Sequence, residues 1–210
     1  MDKLRITATL SGPFITGGGY LTFDALLASA VYSLTQDVDQ AHNQLPLKQL
    51  DGLYYASAAI FEPVAIGKTA IVQSMRPDDL WLDHQWLKKN KHGAVHTKFS
   101  NLSDNILSSY KTISAPTMTW YCEGDIDRIE TLLAQLPMIG KKRVCSVTRW
   151  DVEAGELDGV HGYADEPLRP VPVELWNGGK SSPIVDAAWR TAYWDAVGRT
   201  ACFVPDEARP

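Results

Sequence analysis

The sequence predicts an α+β fold in which a β-sheet carries two helices on one face. Three observations predict it. Alternating β-branched stretches recur along the chain, two segments carry apolar residues at helical spacing, and the two kinds interleave as β-α-β-β, an insertion, then β-α-β. The 210 residues and 45% apolar content are enough for a real core, which excludes a disordered chain.

The first strand is LRITATL, Leu4 to Leu10, ended by Gly12-Pro13 and followed by the glycine run 17–19. Phe23, Leu26, Leu27, Ala30 and Val31 then repeat at helical spacing, with Thr22 in position to cap the first turn. Two extended segments follow, Leu53 to Phe61 and the alternating Thr69 to Met75. Residues 77–112 read as an insertion with a basic middle, and Ala115 to Cys122 is a further strand. Gly124-Asp125 opens a second helix whose stripe is Ile126, Ile129, Leu132, Leu133 and Leu136, stopped by Pro137. Val144 to Val152 is the last core strand, and Arg169 to Trp176 reads as extended. The order fits a ferredoxin-like (βαββαβ, RRM-like) core over residues 1–155 better than a doubly wound sheet. Residues 156–210 form a C-terminal extension packed on that core.

Net charge is −5, so any affinity for nucleic acid must come from where the cations sit. Two places concentrate them. Gly140-Lys141-Lys142-Arg143 lies between the second helix and the last strand, where glycine lets the backbone approach a phosphate and three cations make a local field. The same residues would also suit a helix C-terminus, whose dipole favours cations. The second place runs from Lys88 to Lys98, with Lys88, Lys89, Lys91 and Lys98, His92 and His96, and no acid. A loop of this composition can lie along a sugar-phosphate backbone. Arg149, Arg76 and Lys111 are further cation candidates. Trp150 belongs in the core, on the sheet face opposite Arg149.

Other chemistries find little support. HGAVH, from His92 to His96, lacks the glutamate of a zinc-binding HExxH, so neither a metal nor another cofactor is expected. The glycine run 17–19 has neither the ending of a P-loop nor dinucleotide-site spacing. Cys122, Cys145 and Cys202 are odd in number and far apart, which predicts buried, reduced thiols. No apolar run is long enough to span a bilayer and the opening residues lack a secretory signal, so the expected location is cytoplasmic, with no membrane partner.

Four segments together resemble the RAMP superfamily of CRISPR-associated RNA-binding proteins: LRITATL, the helix TFDALLASAVYSL, IGKKR from Ile139 to Arg143, and RPVPVELW from Arg169 to Trp176. Length and motif order are most similar to the type IV effector subunit that caps the 5′ handle of the guide RNA. The resemblance implies a non-catalytic hold on that handle and contacts to RAMP backbone subunits and the large subunit. It admits target DNA as a further partner of the assembled complex. Members often follow the basic turn with a glycine-rich loop, whereas residues 144–148 contain no glycine, so Lys141, Lys142 and Arg143 would hold RNA through side chains. The alternative is a metal-independent endoribonuclease acting on CRISPR repeat RNA, with His92 or His96 as general acid or base.

Overall fold

A computed structural model describes residues 1–16, 19–73, 106–179, 182–191 and 198–205. In chain order the elements are β1 (Asp2–Leu10), β2 (Phe14–Ile15), α1 (Phe23–Thr35), α2 (Val38–Asn43), β3 (Gln49–Leu50), β4 (Leu53–Tyr54), β5 (Ala65–Gln73) and β6 (Ile106–Ser114). They continue with β7 (Thr117–Gly124), α3 (Ile126–Leu133), β8 (Met138–Ile139), β9 (Cys145–Ala154), β10 (Val171–Pro172), β11 (Ile184–Ala188) and β12 (Arg199–Phe203). The chain divides into two compact units, one of residues Met1–Ile66 with Ile113–Pro210, the other Gly67–Thr112.

In the first unit β1 is the central strand, antiparallel to β7 on one side and to β9 on the other. Its alternation decides which face is buried. Leu4, Ile6, Ala8 and Leu10 point inward with Met118, Trp120 and Cys122 of β7, and meet Phe23, Leu26, Leu27 and Ala30 of α1 and Ile129 and Leu133 of α3. Trp120 lies 6.0 Å from Phe23 and 5.9 Å from Trp150, ring centre to ring centre, and its indole N–H donates to the Leu21 carbonyl. Trp150 is thus a core residue, and its N–H donates to the Leu136 carbonyl.

Residues 56–60 run along the free edge of β7 through antiparallel bridges of Ala56 with Cys122 and Ile60 with Thr119. The lane order is 56–60, β7, β1, β9, which with α1 and α3 gives the antiparallel βαββαβ arrangement of a ferredoxin-like core. β8 adds a short lane outside β9. The 56–60 lane is irregular because its backbone serves neighbours on more than one side. Ser57 N–H donates to Tyr121 O, while Ala58 N–H donates to Leu168 O and Ala59 N–H to Leu21 O. The chain near Gly159 presses against it: at φ +89° a Cβ would stand 2.5 Å from Tyr121 O and 2.8 Å from Ala56, so only glycine fits.

Two local readings need correcting. Thr22 sits at the α1 cap position, but its hydroxyl makes no capping bond, and the first N–H of the helix, that of Phe23, donates to the Ser57 carbonyl. The extended stretch expected from Arg169 to Trp176 runs along β12 only from Val171 to Val173, where Val171–Pro172 pair with it and the Val173 N–H donates to Ala201 O. It then turns, with the Leu175 and Trp176 N–H groups both donating to Pro172 O.

Arg169 ties these parts together. It is fully buried, and its guanidinium donates to Tyr54 O at 2.7 Å, Ala56 O at 3.0 Å, Trp189 O at 2.6 Å and the Asp24 carboxylate at 3.2 Å. One side chain thereby joins α1, the edge lane and the C-terminal extension. Cys122, Cys145 and Cys202 are all free and buried, and burial pushes the Cys122 thiol up to about 12.

Of the second unit, the described parts are the strands that lead into and out of it, β5 and β6. Val64 N–H donates to Ser114 O, and a Cβ at Gly67 would lie 3.1 Å from the Thr112 hydroxyl, so the two strands run antiparallel.

Candidate nucleic-acid interface

The basic turn is built from both of its ends. Ile139 of β8 pairs with Cys145 of β9 and both are buried, so the residues between them must reverse direction in a short space. Gly140 makes the first bend at φ +80°, where a Cβ would come within 3.1 Å of Ile15 O and 3.3 Å of the Phe14 side chain. Glycine therefore lets the turn seat on β2. The Cys145 thiol donates to Gly12 O at 3.0 Å and fixes the far end. Lys141–Arg143 form one 3-10 turn closed by the Arg143 N–H on Gly140 O, and all three side chains are exposed.

Within that turn Lys142 has φ 67° and Arg143 φ 49°. Left-handed backbone costs a residue with a Cβ about 1–2 kcal/mol. Two such residues in succession, both long cations, hold three positive side chains on a tight bend. Strain of this kind clusters at binding sites, where the fold around it fixes the geometry.

Arg149 stands on the same strand, β9, on the sheet face away from the helices. That face also carries Lys3, Arg5, Thr7 and Thr9 of β1, Thr117, Thr119, Tyr121 and Glu123 of β7, and Asp151 and Glu153 of β9. Its cations meet acids: Arg5 pairs with Glu153, Arg149 with Asp151, and Lys48 from beside β3 with Glu123. Tyr121 is the only aromatic among these positions, so the face lacks the row of rings on which an RRM-type sheet stacks bases. The fold keeps Lys141, Lys142 and Arg143 together and gives Arg149 an acidic partner.

Lys111 lies on β6. β5 and β6 are neighbours in one sheet, and Lys68 and Lys111 each lie one residue along from the close approach of Gly67 to Thr112. Exposure alternates along both strands: Lys68, Ala70, Val72, Leu107, Ser109 and Lys111 are exposed, while Thr69, Ile71, Ser108 and Tyr110 are half-buried. Neither strand contains an acid. Lys68 is a residue that sequence reasoning missed, and its place beside the Lys111 strand comes from the pairing of β5 with β6, which no local pattern announces. Arg76, Lys88, Lys89, Lys91, His92, His96 and Lys98 lie outside the described residues.

His161 is the histidine with the most elaborate surroundings among the described residues. Its Nδ1 is 2.9 Å from Asp158 Oδ2, its Nε2 is 2.8 Å from Asn177 Oδ1, and its ring stacks on Trp176 at 5.2 Å. Both ring nitrogens are engaged, so this imidazole serves the extension rather than a substrate. Burial pushes the Asp158 carboxyl up, but the N–H groups of His161 and Val160 and the imidazole together hold it below the usual carboxylate range. Among the described residues no cluster of three or more His, Cys, Asp or Glu side chains could hold a metal ion, and no helix is long and apolar enough to cross a membrane.

No protein-family model and no curated protein matches the chain. Among solved structures it is similar to a chain of the Type III-B Cmr-beta complex, determined by cryo-EM bound to cognate target RNA, at 6% identity and a TM-score of 0.36. That alignment covers 73% of this chain and 61% of the other, so the chain spans less than two thirds of the neighbour's length.

Proposed function

We propose that the chain is a non-catalytic RNA-binding subunit of a type IV CRISPR ribonucleoprotein effector, holding the 5′ handle of the guide RNA and contacting the backbone and large subunits. The observation that carries the RNA-binding part is the turn at Lys141–Arg143, three exposed cations, two of them on left-handed backbone, seated against β2 by Gly140. The CRISPR assignment rests on the RAMP-like motifs and their order along the chain. In this reading the turn grips successive phosphates, with Arg143 able to take one bidentately. Lys68 and Lys111, exposed cations on neighbouring strands that carry no acid, take another. Arg149 contributes only after leaving Asp151.

The test is RNA retention in the complex expressed with its genomic neighbours. Lys141→Ala/Lys142→Ala/Arg143→Ala is expected to lose guide-length RNA on washing at moderate salt, and Lys68→Ala/Lys111→Ala to lose less. Full retention by both variants would remove RNA binding from these residues. Specific cleavage of repeat RNA by the purified chain in EDTA, abolished by His92→Ala or His96→Ala, would replace the non-catalytic reading with the endoribonuclease.

A further inference from the structure

We infer that a polar cavity of about 290 Å³ beside the C-terminal extension is a binding site for a single nucleotide, with Arg190 as its anion-binding residue. Its described lining is His42, Asn43, Gln49, Gly52, Arg190, Thr191 and Gly198. None of these described residues has an aliphatic or aromatic hydrocarbon side chain, which favours a polar ligand, and the volume lies at the small end of ligand pockets.

The placement of Arg190 carries the argument. Its neighbours are fixed on both sides: Arg169 donates to Trp189 O at 2.6 Å, and the Thr191 hydroxyl donates to His42 O at 3.2 Å. The Arg190 side chain is exposed between these anchors. Its guanidinium lies 5.4 Å from the centre of the Trp189 ring, near two glycines that leave room around it. A Cβ at Gly52 would be 3.5 Å from the Trp189 indole and 3.9 Å from the guanidinium, while one at Gly198 would be 3.7 Å from the Arg190 stem. Among the described residues no carboxylate forms an ion pair with Arg190, although the chain is acidic overall.

The bland use for such an arginine is to offset the negative end of α2, which closes at Asn43. The His42 carbonyl there already accepts the Tyr54 and Thr191 hydroxyls. A guanidinium over an indole face keeps its N–H fork available for phosphate oxygens. Asn43 and Gln49 each offer an amide donor and acceptor, the pair needed along a base edge. Phosphate fork and amide edges in one small cavity match a nucleoside monophosphate, either free or as one unit of an RNA strand.

The test uses the full chain carrying Lys141→Ala/Lys142→Ala/Arg143→Ala, so that the basic turn does not contribute. It is titrated calorimetrically with uridine 5′-monophosphate, uridine, inorganic phosphate and a five-nucleotide oligouridylate. The monophosphate is expected to saturate at least tenfold more tightly than uridine or phosphate. Adding Arg190→Ala should weaken it at least tenfold, with Arg190→Lys between the two because lysine keeps the charge and loses the fork. Tighter binding of the oligonucleotide identifies the site as one for an RNA strand, whereas equal or weaker binding identifies a free nucleotide. No saturation by either nucleotide probe, phosphate binding as tightly as the monophosphate, or unchanged binding after Arg190→Ala would each overturn the inference.

Discussion

The basic turn and the Arg169 junction put cationic side chains to opposite uses. At the junction a guanidinium is wholly withdrawn from water and bonds to internal partners, among them three backbone carbonyls and the Asp24 carboxylate. At the turn three cations are exposed, two of them on backbone that is itself unfavourable. Residues 131–150 contain no Asp or Glu. The first arrangement is built for stability, since a buried charge is tolerated only when its partners are fixed. The second gains little for the folded state and gains most when an anion arrives from outside.

The difference can be broken from either side. The largest expected effect is at the junction. Arg169→Ala leaves the Asp24 carboxylate and the carbonyls it served buried, and should cost about 3–5 kcal/mol by urea denaturation. A cost below about 1 kcal/mol would show that the junction is not the tie between α1, the edge lane and the extension.

At the turn the sign should reverse. Lys142→Gly removes a left-handed residue with a Cβ, and should stabilise by up to about 1 kcal/mol, offset in part by the greater freedom of glycine in the unfolded chain. Destabilisation by this change would mean that the Lys142 side chain supports the fold.

Smaller still is the effect at Asp158, which is held below the usual carboxylate range in the folded state. A depressed carboxyl contributes stability that is present above its unfolded pKa of about 3.9 and is lost as pH falls through the folded value. The stability difference between the wild type and Asp158→Asn should therefore shrink as pH falls below about pH 4. A difference that stays flat down to about pH 2 would remove the assigned role of the Val160 and His161 N–H groups.

Much of the core was legible because it is written in local periods. The alternation of Leu4 to Leu10 and the stripe at Phe23, Leu26, Leu27 and Ala30 each name their buried face directly. The basic turn was legible as composition, and its place between α3 and β9 followed from the helix stop at Pro137. What stayed hidden was long-range. The role of Arg169 depends on residues as distant as Asp24 and Tyr54, and its own neighbourhood reads as a plain extended stretch. Lys68 and Lys111 come onto neighbouring strands only through the pairing of β5 with β6. The left-handed geometry at Lys142 and Arg143 could not be foreseen, because neither residue type favours it and only the short span between Ile139 and Cys145 imposes it.

The central claim is that the turn, and not the charged sheet face, meets RNA phosphates. The most direct measurement is the salt dependence of RNA binding by the wild type, by Lys141→Ala/Lys142→Ala/Arg143→Ala and by Arg149→Ala. Every phosphate of a single strand that a cation neutralises adds about 0.7 to the steepness of log K against log salt. The slope should therefore become shallower by about 2 in the triple variant and stay close to the wild-type value in Arg149→Ala. An unchanged slope in the triple variant, or a larger change from Arg149→Ala than from the turn, would contradict the account.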